Sequence, residues 1–188
     1  MILIKIALIG DGAVGKTALR ERFMGKEFTG DYVMTIGADF CIKTIDVSDR
    51  KFKFQIWDLA GQPRFDAVRD LYYSGCLGAL VIFDLTRPDS YVHLTNWVQE
   101  LWKNNGMGSI PFVLVGNKKD LPRKILPEYG QKYAKQASEI IQSFGFSVSY
   151  LETSAQTGEN VDMAFKLLGL EILRFMTNNK KLAQNYAF

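Results

Sequence analysis

The sequence predicts one α/β domain with a mostly parallel six-stranded sheet, one antiparallel edge strand and helices on both faces. Three observations predict this three-layer fold. The chain has 188 residues, which suits one domain with its own core. Short apolar runs rich in Val, Ile, Leu and Phe recur along it, and segments with helical apolar spacing separate them. Such alternation favours parallel strands, with ligands bound beyond their carboxyl ends.

The first half of the chain begins with an apolar run and a glycine-rich turn. Residues 2–9 are predicted to form a buried strand, and a helix is predicted to begin near Lys16. Residues 38–46 and 51–58 are predicted to pair as a hairpin. The second of these segments shows the period-2 alternation of a half-buried strand through Phe52, Phe54 and Ile56.

The second half contains three further predicted strands, at 78–84, 111–116 and 147–151. Apolar residues at helical spacing predict the helices around them: Leu94, Trp97, Val98 and Leu101; then Tyr133, Ala137, Ile140 and Phe144; then Val161, Phe165, Leu168, Ile172 and Phe175. Asn160 is the predicted N-cap of the last helix. The predicted domain is 1–177, and 178–188 is a polar tail.

Composition excludes several classes of protein. Hydrophobic residues make up 47% and charged residues 23%, as in a soluble globular protein. A net charge of +3 is too small to indicate nucleic-acid binding, and none is expected. Cys41 and Cys76 form no CxxC pair and His93 is the sole histidine, so a zinc site is not expected. Without a signal peptide or membrane-length run, the cytoplasm is the expected compartment.

The turn after the first strand, Gly10 to Thr17, reads GDGAVGKT and fits the phosphate-binding pattern GxxxxGK[ST]. Its glycines allow successive backbone N–H groups to surround phosphates, and the following helix N-terminus adds positive potential. Lys16 is predicted to reach the outer phosphates and the Thr17 hydroxyl to bind Mg²⁺. A chance glycine-rich turn is the alternative, but the strand before and the helix after supply the required context.

Two later loops indicate which base is bound. Residues 117–120, Asn-Lys-Lys-Asp, follow a predicted strand, and the Asp120 carboxylate can accept hydrogen bonds from N1–H and the exocyclic amine of guanine. Adenine has neither donor there, and a polar mismatch of this kind supports discrimination of about 10⁴-fold. One strand later, residues 152–155 read Glu-Thr-Ser-Ala, where the Ala155 N–H is placed to meet guanine O6.

Taken together and in their order along the chain, these motifs make it resemble the Ras superfamily of small GTPases. The motifs that carry the resemblance are GDGAVGKT at 10–17, Thr35, DLAGQ at 58–62, NKKD at 117–120 and ETSA at 152–155. The resemblance covers about residues 3–176. Residues 35–40 and the stretch from 55 to 75 look most like the Rab branch, whereas the phosphate-binding loop reads more like the Rho branch.

The resemblance implies a GTP/GDP site with Mg²⁺. Thr17 and Thr35 would bind the ion directly, Thr35 only when the γ-phosphate is present, and Asp58 would bind it through water. Gly61 would donate its N–H to the γ-phosphate and Gln62 would orient the attacking water, so the implied catalytic set is Gln62, Lys16, Thr35 and Gly61. The full implied nucleotide-binding set is Gly12, Ala13, Val14, Gly15, Lys16, Thr17, Ala18, Phe28, Tyr32, Thr35, Gly61, Asn117, Lys118, Asp120, Ser154, Ala155 and Gln156.

The resemblance also implies a switch. Loss of the γ-phosphate removes contacts to Thr35 and Gly61, so both loops relax. Effectors, an exchange factor and a GTPase-activating protein would read residues 30–40 and 60–75 of a monomer. No arginine lies between Phe23 and Phe40, so intrinsic turnover is expected to be on the order of 10⁻⁴ to 10⁻³ s⁻¹, with an activating protein acting in trans.

Three departures from the family pattern stand out. Pro63 replaces the usual glutamate, Gln156 replaces the usual lysine, and residues 184–188 contain no cysteine for prenylation, which leaves membrane association open. A module that binds nucleotide without hydrolysing it is an alternative function, which Pro63 keeps open. A P-loop kinase or ATPase is the other alternative, disfavoured by the two base-reading loops.

Overall fold

A computed structural model describes residues 2–30, 34–179 and 182. The described elements run in the order β1 (Ile2–Ile9), α1 (Lys16–Phe23), β2 (Ala38–Val47), β3 (Arg50–Leu59), α2 (Asp66–Tyr73), β4 (Gly78–Asp84), α3 (Pro88–Val92), α4 (Leu94–Asn104), β5 (Phe112–Asn117), α5 (Pro127–Ile140), β6 (Ser149–Glu152) and α6 (Val161–Asn178). Two 3₁₀ turns, Pro63–Phe65 and Gln142–Phe144, precede α2 and follow α5.

The six strands form one sheet in the order β2-β3-β1-β4-β5-β6. Four neighbouring pairs are parallel, and β2 alone runs antiparallel, paired with β3 along its whole length from Ala38↔Leu59 to Val47↔Arg50. The predicted sheet, including its antiparallel edge strand and hairpin, is confirmed. Because β1, β4 and β5 are parallel neighbours, the loops after them meet at one edge of the sheet.

Helices cover both faces of the sheet. On one face α1 and α6 pack together against the strands, with Phe23 and Phe165 stacked at a ring-centre distance of 3.7 Å. On the other face α2, α3 and α4 pack side by side, and α5 joins α3 through Tyr91 and Tyr129. Every residue of β4 and β5 is buried, which explains why these strands read as continuous apolar runs.

The predicted end of one helix, α5, is wrong. Helix α5 ends at Ile140, and the 3₁₀ turn that follows leaves Ile140 75% and Phe144 47% exposed, so they do not extend the apolar face. The tighter turn instead buries Ile141, and Gly145 takes a left-handed φ of +77° to end the segment.

Asn160 precedes α6, as predicted, but its side chain does not cap the helix. Its φ is +58°, and its Nδ2 donates to the Glu152 carbonyl 2.8 Å away, which ties the start of α6 to the end of β6. Of the predicted tail at 178–188, the structure describes Asn178, Asn179 and the buried Leu182. Among the described helices none is long and apolar enough to cross a bilayer.

Candidate functional site

The glycine-rich loop between β1 and α1 is shaped by close backbone approaches. Gly10 has a φ of +138°, and a Cβ placed on it would lie 2.1 Å from the Ile82 carbonyl oxygen. Gly15 has a φ of +99°, and a Cβ there would lie 2.3 Å from Asn117 Nδ2. Both positions therefore require glycine, because of the backbone angle and the lack of space.

Lys16 lies beneath this loop at the start of α1. Its Nζ donates to the carbonyl oxygens of Gly10 and Asp11, each 2.7 Å away. Burial lowers the pKa of Lys16 to about 8, partly offset by the carboxylates of Asp58 and Asp11. A buried ammonium that contacts no carboxylate of the described residues is suited to binding an anion.

Thr17, Thr35 and Asp58 converge beside Lys16. Thr17 Oγ1 donates to Asp58 Oδ2 at 2.6 Å and lies 2.8 Å from Thr35 Oγ1. Asp58 Oδ1 is buried and has no hydrogen-bond partner in the described part of the chain. Burial raises the pKa of Asp58, although the Thr17 hydrogen bond and the charge of Lys16 oppose this. Two hydroxyls and a buried carboxylate form an all-oxygen donor set that fits Mg²⁺.

The turn after β3 packs directly on the glycine-rich loop. A Cβ on Gly61 would lie 2.3 Å from the Gly10 oxygen and 2.6 Å from the Gly12 nitrogen, so glycine is required there. The side chain of Gln62 lies over Gly12, with its Nε2 3.4 Å from where a Gly12 Cβ would stand. Gln62 Oε1 is buried and has no partner among the described residues.

The two predicted base-reading loops are joined to each other and to the glycine-rich loop. Asn117 Nδ2 donates to the Val14 carbonyl at 2.9 Å, and Asn117 Oδ1 accepts from Thr153 Oγ1 at 3.0 Å. Ser154 Oγ donates to Asp120 Oδ1 at 2.5 Å. Asn117 and Ser154 thus hold these loops in place, and Asp120 is exposed, with its Oδ2 unpaired among the residues described here.

Lys118 connects this region to the end of β4. It has a left-handed φ of +68°, and its Nζ lies 2.7 Å from Asp84 Oδ2. Burial raises the pKa of Asp84, but hydrogen bonds from Lys118 and Thr86 outweigh burial and hold that pKa below its usual range. The aliphatic stem of Lys118 is therefore held at the side of the cleft.

Most of the predicted site residues line one cleft of about 1030 Å³: Gly12, Ala13, Gly15, Lys16, Thr17, Ala18, Phe28, Thr35, Asp58, Gly61, Gln62 and Lys118. Asn117, Asp120, Ser154 and Ala155 are not among the residues that line this cleft, whereas Lys118 is. The Val14 side chain is fully buried in the core, so only its backbone faces the loop, and Gln156 is exposed. Tyr32 lies outside the described residues.

Sequence reasoning missed three side chains that hold the outer part of the glycine-rich loop. Arg87 Nη2 donates to the Gly12 carbonyl at 2.7 Å. The Asp11 carboxylate accepts from Trp97 Nε1 at 2.8 Å and lies 2.8 Å from His93 Nδ1. Only Trp97 had a signal, as a member of an apolar helical stripe. Arg87 and His93 belong to no motif, and only the topology brings α3 and α4 beside the loop.

A buried ionic network lies beneath the turn that follows β3. Arg69, only 3% exposed, binds both oxygens of Glu100 at 2.6 and 3.0 Å and donates to the Ala60 carbonyl at 2.9 Å. Its guanidinium also lies 4.4 Å from the centre of the Trp97 ring. Tyr73 completes the network by donating to Glu100 at 2.8 Å, so α2 is fastened to α4.

An aromatic surface lies at the sheet edge beside the cleft. The ring of Trp57 stacks on Phe40 at a centre distance of 5.0 Å and lies tilted against Tyr72 at 5.1 Å. Exposed apolar side chains occur close by in sequence, among them Ile36 and Leu71, each 76% exposed. Contiguous exposed apolar area of this kind is typical of a protein-binding surface.

Comparison with known proteins agrees with this architecture. A family model described as "Ras family" matches residues 5–174. The chain is 38% identical to the Ras-related protein Rab-13 of Bos taurus over 186 residues, which is 95% of this chain and 87% of that protein. It is 39% identical to Rab-13 of Canis lupus familiaris over 91% of this chain and 80% of that protein. It is 38% identical to the Ras-related protein RABA2a of Arabidopsis thaliana over 93% and 77%.

Proposed function

Because the chain belongs to the Ras family and is a Rab-like small GTPase, we propose that the cleft described above binds GTP and GDP through the residues gathered there. The observation that carries this assignment is the convergence of Thr35 and Asp58, which lie 18 and 41 residues from Thr17 in sequence, on the adjacent pair Lys16 and Thr17. Lys16 binds the outer phosphates, and the backbone N–H groups of residues 13–18 surround the inner ones.

Mg²⁺ fits the oxygen set of Thr17, Thr35 and Asp58. When bound, the ion neutralises the charge that develops on the outer phosphates. Asp58 Oδ1, which has no partner among the described residues, supports this proposal, because a buried carboxylate oxygen without a hydrogen bond is costly unless a ligand satisfies it. Thr35 belongs to the loop of residues 30–40, which relaxes when the γ-phosphate is lost, so the position of its hydroxyl responds to the nucleotide bound.

Gln62 orients the water that attacks the γ-phosphate. Its side chain lies over Gly12, and its buried Oε1 has no partner among the described residues, so it is free to accept a hydrogen bond from that water. Gly61, pressed against the glycine-rich loop, brings Gln62 to this place and presents its own N–H.

Gln62→Leu is expected to slow GTP hydrolysis by about 100-fold while changing GTP affinity little, because the amide acts on the water and not on the ground-state nucleotide. Phosphate release from protein preloaded with GTP gives the rate, and titration with a fluorescent GTP analogue gives the affinity. Hydrolysis at the parent rate would show that another group positions the water.

The aromatic surface of Phe40, Trp57 and Tyr72 is the proposed contact for effectors and regulators. It lies within and between residues 30–40 and 60–75, whose ends carry Thr35, Gly61 and Gln62. A partner seated there senses the γ-phosphate through both loops. We place this monomeric switch in Rab-like membrane trafficking or signalling.

Pro63→Glu is expected to raise intrinsic hydrolysis several-fold. Proline restricts the backbone of the residue before it and lacks an N–H, so Gln62 samples fewer orientations. The 3₁₀ turn that Pro63 begins is closed by Phe65 N donating to the Gln62 carbonyl at 3.0 Å. Single-turnover hydrolysis in saturating Mg²⁺ measures the effect, with Pro127→Glu on α5 as a charge-matched control. A slower rate would show that proline pre-organises Gln62.

A further inference from the structure

We infer that Arg87 is a positioning residue for hydrolysis, which holds the Gly12 main chain, and with it Gln62, at the outer-phosphate end of the cleft. Arg87 Nη2 donates to the Gly12 carbonyl at 2.7 Å. The inference rests on the proposed function, in which Gln62 orients the attacking water. It adds a residue that no nucleotide-binding motif of the chain contains.

Gly12 is held between two side chains. Arg87 binds its carbonyl oxygen, and the Gln62 side chain lies against its α-carbon, with Nε2 3.4 Å from the position of a Cβ. A shift of Gly12 therefore moves the surface on which Gln62 rests. The neighbouring residue Asp11 is held by His93 and Trp97, so Gly12 is the point where the tethers from α3 and α4 reach Gln62.

The backbone of Arg87 is itself fixed. Its N–H donates to the Asp84 carbonyl at 3.0 Å, and its carbonyl accepts from the Ser90 hydroxyl at 2.7 Å and the Ser90 N–H at 3.1 Å. Pro88 follows it and keeps it extended, with φ −129° and ψ 96°. Since Lys118 pairs with Asp84, this turn also contacts a base-reading loop. A guanidinium presented from so rigid a turn loses little entropy in holding its acceptor.

The guanidinium of Arg87 makes no ion pair with any carboxylate whose side chain the structure describes. Its one described hydrogen bond is to the Gly12 carbonyl. Its positive charge also contributes to the lowered pKa of Lys16, after the larger effect of burial. A cation kept beside the phosphate-binding loop in this way strengthens the hydrogen bond to Gly12.

Arg87→Ala is expected to slow single-turnover GTP hydrolysis about 10- to 100-fold, because a misplacement of about 1 Å costs that much. GDP dissociation should change by less than about twofold, since the N–H groups proposed to surround the inner phosphates belong to residues 13–18, beyond Gly12. Arg87→Lys should recover part of the rate, because an ammonium can donate to the same carbonyl. Arg174→Ala, at the far end of α6, is the matched control and should hydrolyse at the parent rate. Thermal unfolding of each GDP-bound variant verifies that it is folded.

The decisive measurement is the double variant Arg87→Ala/Gln62→Leu. If Arg87 acts through Gln62, the double variant hydrolyses GTP no more slowly than Gln62→Leu alone. The inference would be overturned if the double variant were slower than Gln62→Leu by the factor that Arg87→Ala shows alone. A parental hydrolysis rate in Arg87→Ala would also overturn it, as would GDP release that accelerates in parallel with the loss of hydrolysis. A parental rate in Gln62→Leu with slow hydrolysis in Arg87→Ala would contradict the Gln62 assignment as well as the route through it, whereas the remaining results leave that assignment intact.

Discussion

Asp120→Asn is expected to weaken GTP binding by about 10³- to 10⁴-fold and to improve the relative binding of xanthosine triphosphate. In the proposed site the carboxylate would accept two hydrogen bonds from guanine, whereas the amide would present two N–H donors to the donors of the base. Xanthine carries a carbonyl at position 2, to which the amide N–H can donate a hydrogen bond. Ser154 Oγ, 2.5 Å from Asp120 Oδ1, holds the side chain in one orientation, so the new amide cannot easily turn away.

Competitive titration with GTP and xanthosine triphosphate measures this exchange of preference. Asp49→Asn, in the exposed turn between β2 and β3, removes the same charge away from the cleft and serves as the control. Unchanged GTP affinity in Asp120→Asn would contradict the assignment of base reading to this residue.

Gly61→Ala is expected to slow hydrolysis about 100-fold or more while leaving GDP affinity within a few-fold of the parent. The added Cβ would lie 2.3 Å from the Gly10 oxygen and 2.5 Å from the Asp11 carbonyl carbon, and backbone atoms cannot turn aside as a flexible side chain can. The turn must therefore lift from the glycine-rich loop and carry Gln62 with it. The contacts proposed for GDP come from the other loops, which this change leaves in place.

Phosphate release under single-turnover conditions and GDP dissociation are measured on the same preparation. Gly108→Ala provides the control, because a Cβ there meets nothing within 4 Å and adds only the strain of a φ of +81°. Parental hydrolysis by Gly61→Ala would mean that the close packing of Gly61 on the loop is not needed for catalysis.

The sequence predicted those parts of the site whose residues lie within one short motif. The turn from Gly10 to Thr17 and the loop ending at Asp120 each follow a strand, and the structure confirms those strands. Parallel topology then implied that the loops meet at one edge of the sheet. Their roles toward the nucleotide remain predictions that the variants above test.

The tethers from α3 and α4 could not be predicted in this way. Arg87 reaches Gly12 across 75 positions of sequence, and Trp97 reaches Asp11 across 86. Apolar spacing places Trp97 on a buried face but does not show that its indole N–H has a carboxylate to meet. The end of α5 was predicted wrongly for a related reason. Whether Ile140 or Ile141 is the core residue depends on the turn that follows.

The cleft is assembled from loops at the ends of several strands, between Gly12 and Lys118, so a chain that has lost β1 or β5 no longer presents it. Nucleotide is thus a ligand of the complete fold alone. By mass action, free GDP at 1,000 times its dissociation constant adds about 4 kcal/mol to the free energy of unfolding. Stripping the nucleotide removes that contribution at once, so an exchange factor must hold a domain that is less stable than either loaded form.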